Sequence, residues 1–164
     1  MKASASPLEI LDFAIINFEL NFIPPNSIED DTRKLFDNYD LDIDFDVNVG
    51  ELLRVSIKST INEERRPGYR IFAEVVCIFK FNTNFVLSNA EKESLEGFST
   101  IYIALNCLRG LVTQFTANAP FGRYVLPSVD LNDLIKKKAS ELSEGKQSMK
   151  KTSNKTKTKK VKTK

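Results

Sequence analysis

The side chains of this sequence best suited to chemistry are Cys77 and Cys107, the adjacent Glu63 and Glu64, and the alternating Asp42, Asp44 and Asp46. Each has a plainer reading. Both cysteines sit inside apolar periodic segments, which fits reduced core thiols of a cytosolic protein better than a secreted disulfide scaffold; a functional thiol is the alternative. Glu63 and Glu64 fall in a hairpin connection, where water keeps both carboxyl groups alike and prevents a division into acid and base. The neighbouring Arg65-Arg66 pair suggests a phosphate site, yet an exposed turn is where unpaired charges ordinarily sit. There is no histidine anywhere, which removes Ser-His-Asp and Cys-His catalysis and imidazole ligation of zinc or haem. Without a glycine-rich phosphate loop, a Cys-x-x-Cys motif or a nucleophile beside a base, the residues predict no enzyme, no cofactor and no metal site.

Apolar and aromatic supply is richer. Ile101, Leu105, Leu108, Val112 and Phe115 recur at steps of four and three, one stripe of an amphipathic helix within 97–119. Pro120 ends that helix by disfavouring helical geometry at the residue before it. An irregular arm follows, punctuated by Pro120, Gly122 and Pro127 and carrying Phe121, Tyr124, Val125 and Leu126. A second helix starts near Asp130, with Asp130 or Ser128 as N-cap, and bears Leu131, Leu134 and Ile135. These side chains either pack the arm onto the domain or line a groove between arm, helix and sheet. The groove residues are then Phe121, Tyr124, Leu126, Leu131, Leu134 and Ile135, able to take extended polypeptide by apolar burial and main-chain hydrogen bonds.

Four strands must position this unit. Residues 10–23 settle into alternation, with Ile16, Phe18, Leu20 and Phe22 on one side and Asn17, Glu19 and Asn21 on the other. Leu41 to Val49 alternates most clearly, placing Asp42, Asp44 and Asp46 on one face. That face reads as a solvated strand side or as a docking strip for a basic partner; regular spacing suits one metal ion poorly. Leu53 to Ile61 and Tyr69 to Asn82 follow around the Pro67-Gly68 turn. The last strand is apolar on both faces, since Phe72, Val76 and Ile78 sit opposite Tyr69, Ile71, Ala73, Val75, Cys77, Phe79 and Phe81. Such a strand is covered twice, by helices on one side and by another subunit on the other. The predicted fold is α+β: a four-stranded antiparallel sheet with C-terminal helices packed on one side, in an oligomer.

Charge divides the chain. Residues 146–164 hold nine lysines and no acid, which leaves 15 basic against 22 acidic residues, about −7, on the remainder. The composition predicts one domain over 1–145 and a disordered lysine-rich tail over 146–164. Asp12, Asn17, Glu19 and Asn21 interrupt residues 8–23, so that segment does not read as a signal peptide, and no stretch is long and apolar enough for a membrane span.

The unit of long helix, aromatic arm and short helix resembles the C-terminal half of the SecB family of protein-export chaperones. Arg109, Phe121 and the segment Pro127-Ser-Val-Asp-Leu-Asn-Asp-Leu-Ile135 carry the resemblance, the segment being similar to the family's Pro-Val-Asn-Phe-Asp-Ala-Leu-Phe ending. Two departures mark a divergent member. Leu105, Asn106, Cys107 and Leu108 stand where the family has Pro-Tyr, and Asn118-Ala-Pro-Phe121-Gly replaces Arg-Gly-x-Phe-Pro. The resemblance implies a cytoplasmic homotetramer, a dimer of dimers. It implies too that unfolded precursor proteins are held without ATP or cofactor and handed to the translocation motor SecA, with the Asp42–Asp46 strip as a docking face. A different cellular role is a SecB-like chaperone dedicated to one client, such as the antitoxin of a toxin–antitoxin system. A third reading is a ribosome- or nucleic-acid-associated protein recruited by the lysine tail, against which the acidic body argues because a folded basic surface is missing.

Overall fold

The structure, a computed structural model, describes residues 4–25 and 34–155, with side chains to residue 143. It divides into two compact units, residues 1–127 and 128–164. The first unit holds strands β1 (Leu8–Ile23), β2 (Leu41–Val49), β3 (Leu53–Ile61) and β4 (Gly68–Phe81), then helices α1 (Asn89–Ser94) and α2 (Thr100–Thr116). The second holds helix α3 (Leu131–Lys155).

The strands form one antiparallel sheet in the order β1-β4-β3-β2. β1 therefore pairs with the last strand, and β1 and β2 are the two edges. Alternation sorts β4 into two faces. Tyr69, Ile71, Ala73, Val75, Cys77 and Phe79 are fully buried on the inner face, beneath α2. Leu53, Val55 and Ile57 of β3 lie beside them in register and are equally buried. Burial of this kind contributes roughly 1.5–3 kcal/mol for each large side chain, so the β3–β4 inner face is the core.

β1 departs from simple alternation. Its register slips between Ile10 and Asp12 and again between Ile15 and Asn17. Two bulges absorb Leu11 and Ile16, so that Phe13, Ile15, Phe18, Leu20 and Phe22 all stand opposite inner-face residues of β4. Ile16 is thus not part of the Phe18–Phe22 face that alternation alone gives it. It lies at a bulge and is exposed.

α1 is closed at its start by a capping box, Ser88 with Glu91. The Ser88 hydroxyl and amide both donate to the Glu91 carboxylate, which holds that carboxyl below its ordinary value. One wide π-turn, Leu95–Ser99, joins α1 to α2. The α2 stripe Ile101, Leu105, Leu108 and Val112 is buried as its spacing predicts, whereas Phe115 is half exposed. In the second unit, the Asp130 carboxylate accepts from the Asn132 and Asp133 amides, which settles Asp130 as the N-cap of α3. The α3 backbone continues through Gly145 to Lys155; the rest of the predicted tail, 156–164, lies outside the described residues.

Candidate polypeptide-binding site

After α2 the chain runs as an arm to Pro127 with no ladder partner among the described residues, and side chains of the body bond its backbone at Phe121, Gly122, Tyr124, Leu126 and Pro127. Tyr69, on the inner face of β4, reaches it first: its hydroxyl accepts from the Phe121 amide at 2.7 Å and donates to the Gly122 carbonyl at 3.0 Å. Gly122 turns the arm at φ 76°, a left-handed conformation glycine adopts without penalty. Next, the Thr116 hydroxyl donates to the Val112 carbonyl at 2.8 Å and accepts from the Tyr124 amide at 2.9 Å. Arg109 completes the attachment. Its Nε donates to the Leu126 carbonyl at 3.0 Å and its Nη2 to the Pro127 carbonyl at 3.1 Å, while Nη1 bonds the Asn106 side chain at 2.6 Å. The planar guanidinium serves two adjacent carbonyls and a side chain from three separate nitrogens held in a fixed fork.

Pinned in this way, the arm alternates. Tyr124 and Leu126 are 4% and 2% exposed, while Arg123, Val125 and Pro127 face outward. Tyr124 closes an aromatic cluster with Phe36, Tyr39 and Tyr69, its ring 5.4 Å from Phe36 and 5.6 Å from Tyr39. The Tyr39 hydroxyl donates to the Pro67 carbonyl and accepts from the Tyr69 amide, both at 2.8 Å. Gly68 stands between them at φ 115°, where any Cβ would collide with that hydroxyl. Burial raises all three tyrosines above the ordinary phenol value, Tyr124 to about 12.

A half-exposed aromatic strip remains at the surface. Phe22 of β1 meets Phe121 of the arm with ring centres 5.1 Å apart, and Phe18 stacks on Phe115 of α2 at 4.3 Å. Phe18 and Phe22 are roughly 13 Å apart along one face of an edge strand, whose outer main-chain donors and acceptors pair with no other strand among the described residues.

Of the six residues the sequence nominates for the groove, Phe121 lies in this strip. Tyr124 and Leu126 are buried and act by holding the arm, because an extended chain turns alternate side chains inward. Leu131, Leu134 and Ile135 lie in the first turns of α3, in the second unit. Phe18, Phe22 and Phe115 were available to sequence reasoning only as core positions of a strand and a helix. Tyr69 and Thr116 gave no signal, since their role rests on contacts far along the chain. Asp42, Asp44 and Asp46 share the outer sheet face and are exposed, strung along β2 rather than gathered. Among the described residues no group of three or more acidic or cysteine side chains is placed to hold a metal ion. Phe72, Val76 and Ile78 also face outward; Val76 is already 5% exposed within one chain, so Phe72 and Ile78 supply the apolar surface there.

No family model matches this chain, and no curated protein does. Solved structures do. The SecB-like chaperone Rv1957 of Mycobacterium tuberculosis, in complex with a ChAD peptide from the Rv1956 HigA1 antitoxin, aligns at a TM-score of 0.52 and 13% identity. The alignment covers 76% of this chain and 88% of that one. The fold is SecB-like. A Streptococcus agalactiae protein of unknown function aligns at a TM-score of 0.46 and 11% identity, covering 76% of this chain and all of the other. Of the residues that carry the resemblance, Arg109 fastens the arm and Phe121 lies on it. Among the described residues, no helix of the SecB-like chain is long and apolar enough to cross a membrane.

Proposed function

We propose that this protein is an ATP-independent chaperone that holds unfolded polypeptide, in the cytoplasm, on the strip formed by Phe18, Phe22, Phe115 and Phe121. The observation that carries this reading is the pairing of an exposed aromatic strip with an open sheet edge. Rings supply sequence-tolerant apolar contact, and the edge strand supplies main-chain hydrogen bonds that any extended client can make. Single sites of this size hold a client weakly, so several on one assembly are needed. A homotetramer answers that need, with the outer-face residues Phe72 and Ile78 as interface candidates. Delivery to SecA through the acidic Asp42, Asp44 and Asp46 strip is the general-export form of the proposal.

A dedicated client is the second form. It is favoured by the solved SecB-like structure whose bound ligand is an antitoxin peptide, and it needs the same strip with no docking to SecA.

Light scattering of the protein alone and with a reduced, unfolded model protein tests both forms. A mass near four chains and a complex formed without nucleotide are expected. Phe22→Asp and Phe121→Asp should each weaken client binding about ten-fold or more while leaving the circular dichroism spectrum intact. Unchanged affinity in both variants would remove the strip from the mechanism.

A further inference from the structure

At one end of the aromatic strip the surface changes character. Asn21, Phe22 and Ile23 of β1, Arg70 of β4 and Arg65 of the β3–β4 loop line a cavity of about 270 Å3. Among the described residues that line it two are arginines and none is acidic. Three acids near it in sequence and register are engaged elsewhere: Glu64 pairs with Arg66 at 2.8 Å, Glu74 with Lys58 at 3.4 Å, and Glu19 accepts from the Asn17 amide at 3.3 Å. Arg70 Nε is buried and meets no acceptor among the described residues. Arg70 is partly exposed, with this Nε closed off, and a carboxylate is the partner that suits a guanidinium best.

The loop that carries Arg65 is held in place. Arg65 sits at φ 57° and Asn62 at φ 59°, left-handed conformations that non-glycine residues adopt at a cost and that concentrate at ligand sites. The fully buried Asn62 side chain fixes the turn. It donates to the Arg66 carbonyl at 2.7 Å and the Tyr69 carbonyl at 2.9 Å, and accepts from the Arg66 amide at 2.8 Å. Phe22 belongs both to the cavity wall and to the ring pair with Phe121. Asn21 stands opposite Arg70 and Phe22 opposite Tyr69, so the cavity and the strip lie on the two faces of β1 and meet at its edge, where an extended client paired with β1 turns alternate side chains to each.

We propose that this cavity is a carboxylate subsite of the polypeptide-binding strip. It receives an Asp or Glu side chain, or the C-terminal carboxylate, of a client segment whose apolar residues lie against Phe22 and Phe121. The proposal rests on the polypeptide-binding reading above and adds a preference to it. Clients are selected by where an acid falls relative to their aromatic residues.

Three forms of one fluorescent nine-residue aromatic peptide test it by anisotropy on the full-length protein: a free C-terminus with no internal acid, an amidated peptide with one internal Glu, and the amidated peptide with Gln in its place. One of the first two should bind about ten-fold tighter than the third, which also identifies the source of the carboxylate. Arg65→Gln and Arg70→Gln should erase that difference and leave the Gln peptide unaffected; Arg70→Lys should restore part of it. Equal binding of all three peptides overturns the subsite while the strip stands. Binding of none overturns the strip and the subsite together. An equal loss for all three in the arginine variants makes Arg65 and Arg70 structural and overturns the proposal. The variant Glu29→Gln/Asp30→Asn/Asp31→Asn completes the test. Discrimination that appears only in that background shows that the chain's own acids fill the cavity, and the client reading fails.

Discussion

Phe121 and Tyr69 are joined backbone to side chain: the Phe121 amide donates to the Tyr69 hydroxyl at 2.7 Å, across 52 residues of sequence. The same hydroxyl donates to the Gly122 carbonyl at 3.0 Å. One phenol on the core face of the sheet therefore fixes both the position and the turn of the arm, and with them the ring of Phe121. Tyr69→Phe removes both bonds and keeps the ring. We expect a loss of about 1–3 kcal/mol in urea unfolding and faster proteolysis within 117–127. An unchanged midpoint would show that the arm is held by packing alone.

Arg109 makes the other attachment. Arg109→Lys keeps the charge but cannot reach the Leu126 and Pro127 carbonyls and the Asn106 side chain together. The expected cost is about 1–2 kcal/mol, larger than that of Asn106→Ala, which removes only one acceptor. Equal costs would mean that the bonds to the arm contribute nothing.

Gly68 should tolerate no side chain. Its φ of 115° is a glycine conformation, and a Cβ there would strike the Tyr39 hydroxyl. Gly68→Ala is expected to destabilise by more than the ~1 kcal/mol of conformational cost alone. Gly68→Ala combined with Tyr39→Phe should recover part of the loss by relieving the collision. If the double variant is no better than the single one, backbone strain is the whole effect.

Alkaline pH should weaken the fold through the aromatic cluster. Burial favours the neutral phenol of Tyr124 and raises it from the ordinary 10.0 to about 12. Between those values the folded state holds a proton that the unfolded state has released. The stabilisation is therefore complete below pH 10 and is lost as pH rises toward 12. Tyr39 and Tyr69 are raised by the same cause and act in the same direction. Thermal midpoints measured across this range should fall, and Tyr124→Phe should make the fall shallower.

The two thiols should react at very different rates. Burial pushes the Cys77 thiol up to about 12, with the neighbouring Cys107 thiol and Asp12 adding to the effect, whereas Cys107 is only partly buried. A thiol reagent near pH 8 should modify one cysteine quickly and the other only on unfolding, and Cys107→Ser should abolish the fast phase. Two equally fast thiols would contradict the placement of Cys77 in the core.

The sequence by itself determined the kind of each main element and, along β3, β4 and the α2 stripe as far as Val112, which side chains are buried. Period-two alternation marks Leu41–Val49 and Leu53–Ile61 at their observed bounds, the four-and-three stripe marks the buried face of α2, and Pro120 marks the start of the arm. Local periodicity records that a side chain faces something apolar; it carries no information about what that something is. Tertiary structure decided the rest. Pairing β1 with β4 required closing a chain of more than forty residues, and two bulges switch the parity of β1 and then restore it, so that Phe13 and Ile15 share the inner face with Phe18 and Phe22. The inward turn of Tyr124 and Leu126 depends on bonds from Tyr69, Thr116 and Arg109, none of which is adjacent in sequence to the arm segment it fastens. Arg65 and Arg70 read as turn and strand charges, and only the sheet's edge brings them to one cavity with Asn21 and Phe22.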